Sequence, residues 1–538
     1  MNRNPIEIFD TTLRDGTQGE GVTLSVKDKV RIAIRLDEFG MDFIEGGWPG
    51  SNPKDESFFK EIRKEKLHHS RICAFGSTAR FPDKVLSDAN LNLMLAAETS
   101  VVSIFGKAWK LHSELGLELD ASENETLIYE SIQYLKSEGR HVIFDAEHFF
   151  DGYKDDPEFA LQMVKAAGKA EADTIVLCDT NGGSLPSEIS DIVHVVKKKI
   201  SAPLGVHAHN DSELAVSNTI AAVEAGVSHV QGTINGVGER CGNANLISII
   251  PNMILKLGLK TVQKIDLTQL SSISHFVSEV MNFAPDQRAA YVGRSAFAHK
   301  GGIHVSAVLK NSTMYEHIEP EIVGAQRRVL VSDLSGQSNI RYKASELDVR
   351  LNGDKTLTKK VVNRIKALEH AGYQFDGAEA SFELILQEEL GAFQPFFDVL
   401  DSRINVNYGE NGHKHADAML KVIVDGEVEH TIADGVGPVN ALNLALKKAL
   451  VRFYPEIKDV KLVDYKVRVL EERAGTESKV RVLAESSDGK ESWSTVGVSE
   501  NIIEASWQAL RDSFNYRLYI KKKKNAHSRK VKGLAKPY

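Results

Sequence analysis

Eight short β-rich runs, each followed by a stretch of helical period, fill the first ~260 residues, and this alternation limits the available folds more than any other feature. The runs are IEIF, DFIEGG, RICAFGS, SVVSIFG, HVIFDAE, TIVLCDT, LGVHAHN and HVQGTING. Between them lie patterns such as SVKDKVRIAIRLDEFG, which predicts a helix with Ser25 as its N-cap and Gly40 closing its end. Eight strand–helix units in a segment of this length match the size and count of a (β/α)₈ TIM barrel. A doubly wound sheet also alternates, but the number of units and the lack of GxGxxG after the first strand favour the barrel.

The expected organisation is α/β: a TIM-barrel catalytic domain over 1–265, helical linker subdomains over 266–394, a C-terminal α+β domain over 395–520 and a basic tail over 521–538. In the linker, DKTLTKKVVNRIKALEHAGYQFDGAEASFELILQEELG reads as two helices joined by a polar turn. The third segment carries an internal repeat. TIADGVGPVNALNLALKKAL and STVGVSENIIEASWQALRDSF superpose at a 64-residue offset, which places Ala441 on Ala505, Ala445 on Ala509, Leu446 on Leu510 and Leu450 on Phe514. A duplicated strand–helix unit makes a pseudo-symmetric domain whose seam suits a small ligand; matching helices also arise from packing alone.

Composition excludes other classes. No apolar run reaches the ~18 residues that cross a bilayer, so no membrane association is expected. MNRNPIEIFD lacks the apolar core of a secretion signal. Three cysteines, Cys73, Cys178 and Cys241, form no disulfide framework, and a reducing cytoplasm is the default. A net charge of −8 gives no reason to bind nucleic acid, although KKKKNAHSRKVKGLAKPY holds eight Lys and Arg and no acid. That tail is either an anionic-surface segment or, by preference, a frayed and solvated terminus.

Barrel active sites form where strands end at the C-terminal rim. The first strand presents Asp10, Arg14, Asp15 and Gln18 there, the second Glu45, the fifth Glu147, the sixth Asp179 and Thr180. The seventh presents His207 and His209, and the eighth Asn235, Glu239, Arg240 and Asn243. His207 and His209 stand two apart on a strand, so both imidazoles point to one face. Two histidines with a carboxylate are a common set for a divalent transition metal with open positions. Asp15 is the best third ligand, and Asn243 offers a weaker oxygen. Arg14, oriented by Glu45, suits an oxyanion that forms beside the metal; a structural Arg–Glu pair is the plainer reading. Thr180 suits a substrate carboxylate or caps a helix, and Glu147 orients substrate or assists proton transfer unless it is a surface carboxylate.

DTTLRDGTQ, VHAHND and GERCGNAN together resemble the DRE-type TIM-barrel metalloenzymes. The GIH…YEHIEPEIVG segment and the duplicated C-terminal domain resemble that family's synthase branch, the isopropylmalate, homocitrate and citramalate synthases, which condense acetyl-CoA with a 2-oxo acid. The retro-aldol acyl-CoA lyases share the barrel motifs without that domain. The resemblance implies a divalent metal (Zn, Mn, Mg or Co) on Asp15, His207 and His209, with Asn243 as fourth ligand. It implies that Arg14 binds the keto oxygen, Thr180 the oxo-acid carboxylate, and that Glu147 positions the reacting pair. His304 and Tyr315 match residues that the linker contributes to the partner's active site, which implies a homodimer; His299 ranks second. EGGWPGSNPKD and GERCGNANL are similar to the branch that takes pyruvate, where isopropylmalate synthases typically read EAGFP and ERAGN. Trp48 near the rim is compatible with that smaller oxo acid, and 2-oxoisovalerate is the alternative. Feedback by an amino acid, isoleucine, is implied for the duplicated domain.

Overall fold

In the computed structural model, which describes residues 4–332, 335–347, 349, 354–408, 414–470 and 478–534, all eight predicted strands form. They are β1 (Glu7–Asp10), β2 (Phe43–Gly47), β3 (Arg71–Ser77), β4 (Val101–Lys107), β5 (His141–Glu147), β6 (Thr174–Asp179), β7 (Leu204–Ala208) and β8 (His229–Gly232). Each pairs in parallel with the next, and β8 returns to β1 with Glu7 opposite His229 and Asp10 opposite Gly232. The sequence expectation of a closed (β/α)₈ barrel is met.

Local chemistry sets the helix ends. Ser25 accepts from the Asp28 amide at 3.2 Å while the Asp28 carboxylate accepts from the Ser25 amide at 3.1 Å, a reciprocal cap for the helix Val26–Phe39. Gly40 ends that helix at φ 99°, a left-handed conformation that a Cβ disfavours. The face carrying Ile32, Ala33 and Leu36 is buried against the barrel wall.

Inside the barrel, side chains two residues apart on a strand share a face and therefore form layers. Phe9, Phe43, Cys73, Val101, Ile143 and Val176 pack as an apolar plug. One step towards the C-terminal rim the interior turns polar, with Glu45, Ser103, Asp145, His207 and Gln231 all buried. The plug below gives these polar groups no water, so each must find a partner in its own layer.

The chain divides into two compact units, Met1–Phe297 with Ile318–Gln326, and Ala298–His317 with Arg327–Tyr538. This division differs from the boundaries expected at 265 and 394. The helix Leu270–Val280 belongs to the first unit because Leu270, Ile273 and Val277 are buried in the barrel's outer core. Ile318–Gln326 returns to it as well: Ser271 Oγ donates to the Val323 carbonyl at 2.8 Å. Gly324 lies so close to this helix's approach that a Cβ there would stand 2.1 Å from the Thr268 carbonyl oxygen.

The second unit opens with β9 (Ala298–His299) paired to β10 (Arg328–Val329). The predicted helix pair forms over Lys355–His370 and Glu379–Glu389. Then a three-stranded antiparallel sheet and a helix occur twice. The first set is β11 (Asp398–Tyr408), β12 (Lys414–Val424), β13 (Glu427–Gly435) and the helix Pro438–Val451. The second is β14 (Lys461–Val469), β15 (Val480–Ser487), β16 (Ser492–Ser499) and the helix Ile502–Leu534. The eight helix residues matched by the 64-residue offset are all buried. The offset also relates a contact: Thr431 Oγ1 donates to the Ala445 carbonyl at 3.0 Å, and Thr495 Oγ1 to the Ala509 carbonyl at 2.7 Å. No break falls near 394, because Ile365, Phe375 and Phe382 share a core with Val496 and Val498 of β16.

The expected frayed tail is corrected in part. The last helix runs through Leu534, and the start of the basic segment is partnered: Lys521 pairs with Glu456 at 3.0 Å, Lys523 donates to the Leu347 carbonyl at 2.7 Å and Lys524 meets Glu491 at 2.7 Å. The final residues 535–538 lie outside the described residues. No helix among the described residues is long and apolar enough to cross a membrane.

Candidate active site

The turn after β1 carries the first half of the site. Asp10 does not face the cavity; its carboxylate accepts from the Thr12 amide and hydroxyl, both at 2.9 Å, and Thr12 Oγ1 in turn accepts from the Ile234 amide at 2.8 Å. Burial pushes the Asp10 carboxyl up to about 7. This clasp between the β1 and β8 loops fixes the short 3₁₀ turn Asp15–Gln18, and with it Arg14 and Asp15.

Arg14 is held on three sides. Its Nε donates to Glu45 Oε2 at 2.7 Å, an Nη donates to Asp15 Oδ2 at 3.0 Å, and the guanidinium lies 3.8 Å from the centre of the Phe75 ring. Burial disfavours its charge, but Glu45 and Asp15 outweigh that, so its pKa rises and it stays a cation. Glu45 is fully buried, accepts also from Thr11 Oγ1, and its pKa is raised by burial against the pull of Arg14.

The imidazoles complete the cluster. His207 Nε2 lies 3.5 Å and His209 Nε2 3.9 Å from Asp15 Oδ2, and the two Nε2 atoms are 3.3 Å apart. These three donor atoms lie within 4.8 Å of one another and are all buried, the only such group of metal-type donors among the described residues. Burial and then the neighbouring His207 push His209 down to about 3, which leaves it a neutral ligand-type imidazole at neutral pH. For His207, Asp15 overcomes the effect of burial and raises the pKa. Asp15 is itself driven well below the carboxylate range, since Arg14 and His207 overcome burial. Two lone-pair nitrogens and a carboxylate oxygen converging at a buried point fit a divalent cation. Asn243 joins them through its amide nitrogen, which donates to Asp15 Oδ1 at 3.0 Å; its buried oxygen finds no hydrogen-bond partner among the described residues.

Above the cluster a cavity of about 360 Å³ is lined by Arg14, Asp15, Glu147, Thr180, His207 and His209, with Trp48, Phe75 and Phe105 as an apolar wall. Trp48 meets Phe75 and Phe105 edge-on at 5.7 and 5.8 Å, and its indole N–H donates to Asn90 Oδ1 at 2.7 Å. Thr180 Oγ1 accepts from the His148 amide at 2.9 Å. Glu147 is paired with Lys107. Other rim residues read from the sequence serve the loops: Asp179 accepts from Ser184 Oγ at 2.9 Å, Asn235 donates to Ser278 Oγ at 2.9 Å, and Arg240 pairs with Asp211 at 2.8 Å.

His304 and Tyr315 belong to the second unit, where their rings lie 4.3 Å apart and both are exposed. His299 is committed elsewhere, with Nε2 2.9 Å from Glu316, whose other partner is Arg327. Sequence reasoning missed Phe75 and Phe105 in the wall and Ser103, Asp145 and Gln231 beneath the cluster. Their signal was the period of two, since each lies two residues from an inward-facing neighbour on its strand.

A closed barrel with such a donor set and a fixed guanidinium beneath a small cavity has the form of a barrel enzyme with a candidate site for a divalent metal. Comparisons narrow the class. Residues 5–277 match the HMGL-like family, 291–372 the homocitrate synthase post-HMGL domain-like family, and 376–518 the LeuA allosteric (dimerisation) domain. The chain is 53% identical over 518 residues to an (R)-citramalate synthase of Geobacter sulfurreducens, covering 96% of this chain and 98% of that one. It is 51% identical to an (R)-citramalate synthase of Aquifex aeolicus (95% and 98% covered). Against a 2-isopropylmalate synthase of Methanocaldococcus jannaschii identity falls to 33% (95% and 94% covered). The chain belongs to the (R)-citramalate synthase family.

Proposed function

We propose that this enzyme joins the methyl carbon of acetyl-CoA to the keto carbon of pyruvate and hydrolyses the thioester, releasing (R)-citramalate and free CoA. The observation that carries the reading is the convergence of Asp15, His207 and His209 beside Arg14 at the floor of a cavity walled by Trp48, Phe75 and Phe105. A divalent metal (Zn, Mn, Mg or Co) held by Asp15, His207 and His209, with Asn243 as a fourth ligand through its amide oxygen, supplies Lewis-acid polarisation of the 2-oxo acid.

The chain's own groups do the rest. Thr180 accepts from a backbone amide, so its hydroxyl hydrogen is available to the pyruvate carboxylate. Glu147, held by Lys107 at the end of the strand beside Thr180's, orients the acetyl group. His304, with Tyr315 against it, takes a proton from the acetyl methyl; contributed by a second copy of the chain, it makes the homodimer the working form. The enolate carbon bonds to the keto carbon, the carbonyl π pair moves onto oxygen, and Arg14 donates to that alkoxide as its charge grows. Water then adds to the thioester carbonyl, the C–S bond breaks, and CoA leaves as the thiol. The LeuA-type domain, with its duplicated sheets, takes an amino-acid effector, isoleucine, at the seam.

CoA release measured side by side with pyruvate and 2-oxoisovalerate tests the substrate. Pyruvate should win by a large margin in kcat/KM; equal turnover of the two overturns the assignment. His207→Ala should abolish turnover and metal binding together, and an active, metal-stripped His207→Ala enzyme would end the reading.

A further inference from the structure

Behind His207 a buried hydrogen-bond chain crosses the barrel interior. His207 Nδ1 lies 2.9 Å from Gln231 Oε1, Gln231 Nε2 donates to Asp145 Oδ1 at 3.0 Å, and Ser103 Oγ donates to Asp145 Oδ2 at 2.7 Å. These residues come from β7, β8, β5 and β4 and are at most 6% exposed, with His207 and Asp145 at the edge of the cavity.

The chemistry of each group dictates the next. A carboxylate only accepts, so Asp145 obliges Gln231 to turn its NH₂ towards it and its carbonyl oxygen towards His207. A carbonyl oxygen also only accepts, so the hydrogen of a neutral His207 sits on Nδ1 and Nε2 keeps its lone pair. Nε2 is the atom that faces Asp15 and His209. Left to itself in water, an imidazole prefers its hydrogen on Nε2, which would block that face. We infer that Asp145 and Gln231 are positioning residues that set the tautomer of His207 and so hold its Nε2 lone pair ready for a divalent cation. The inference rests on the cation reading of the Asp15–His207–His209 cluster. Removing such an outer partner of a metal-ligating histidine typically weakens metal binding about 10- to 100-fold.

The test uses the full-length metal-free protein above the histidine titration range. Two quantities are read: zinc affinity by competition with a chromophoric chelator, and the His207 tautomer from imidazole ¹⁵N shifts, the resonance being identified by its loss in His207→Gln. The wild type should show hydrogen on Nδ1. Gln231→Met should bind zinc about 10- to 100-fold more weakly and show mixed tautomers. Asp145→Asn is the sharper variant, because it keeps shape and volume but can itself donate. Gln231 is then free to turn its NH₂ to His207, which moves the hydrogen to Nε2 and weakens zinc binding to a similar degree; a merely structural Asp145 would tolerate the change. If Gln231→Met does not fold, Asp145→Asn alone carries the test. Hydrogen on Nε2 in the wild type, or wild-type zinc affinity in the variants, overturns the relay while the metal reading stands. A wild type that binds none of zinc, manganese, magnesium and cobalt yet shows hydrogen on Nδ1 overturns the metal reading and leaves the tautomer assignment intact.

Discussion

Arg14→Lys separates charge from geometry at the heart of the site. The guanidinium reaches Glu45 through Nε and Asp15 through an Nη while its plane rests on Phe75. An ammonium keeps the charge but is one compact point, so it holds one carboxylate and abandons the other. A hydrogen bond to a charged group is worth about 1.5–3 kcal/mol, and stacking on an aromatic face about 0.5–2 kcal/mol. Losing one contact of each kind removes roughly 2–5 kcal/mol of what aims the donor at the new alkoxide. If that aim acts in the transition state, kcat/KM for pyruvate falls about 30- to 5000-fold. The fall should lie mostly in kcat, because ground-state pyruvate leans less on the alkoxide donor. The assay is steady-state CoA release, with metal affinity measured in parallel as a control that should stay within a few-fold. A lysine variant that folds, binds metal and turns over within about threefold of the wild type would refute the placement of Arg14 at the developing charge.

Other predictions follow from separate parts of the molecule. Trp48→Ala removes the edge-on partner of Phe75 and Phe105, and the ratio of kcat/KM for 2-oxoisovalerate over pyruvate should rise at least about tenfold in the same assay; an unchanged ratio dismisses Trp48 as a size filter. Asp37 accepts from the amides of His68, His69 and Ser70 at 2.7–2.8 Å, and these bonds overcome burial to lower its pKa. Asp37→Asn should therefore cost about 1–2 kcal/mol in chemical denaturation above the ordinary aspartate range. That gap should close as pH falls through the depressed native pKa; a gap that persists in acid contradicts the charge's role. Thr431→Val and Thr495→Val each remove the hydroxyl that donates to the following helix's carbonyl, and each should cost about 1 kcal/mol with additive effects in the double variant. A strongly unequal pair would break the equivalence of the two halves.

The barrel and its Asp15–His207–His209 cluster were readable because their signals are local. Each strand announced itself as an apolar run, and once the seventh run is extended the spacing of His207 and His209 gives them a common face. Asp15 followed from its place after the first strand. The layer beneath was not readable in that way: Gln231 in HVQG and Asp145 in IFDAE differ from packing residues only through partners on other strands. Asp179 shows the opposite error, since a strand-end carboxylate beside Thr180 points to Ser184 and Asn218 rather than the cavity. The compact units divide elsewhere than at 394 for a similar reason. Phe375 sits in the turn between two helices and Phe382 on an ordinary helix face, and nothing local says that they pack on β16, more than a hundred residues later.

Because Ile318–Gln326 belongs with the barrel while Ala298–His317 does not, neither unit is a continuous stretch of chain. A ribosome finishes all eight barrel strands long before it delivers Val323, the last buried piece of that unit. By then β9 has already emerged and must wait, unpaired, for Arg328 and Val329. No single cut of the gene therefore yields two intact halves, and any attempt to express the barrel alone should keep the polypeptide to Gln326 and accept the stranded loop within it.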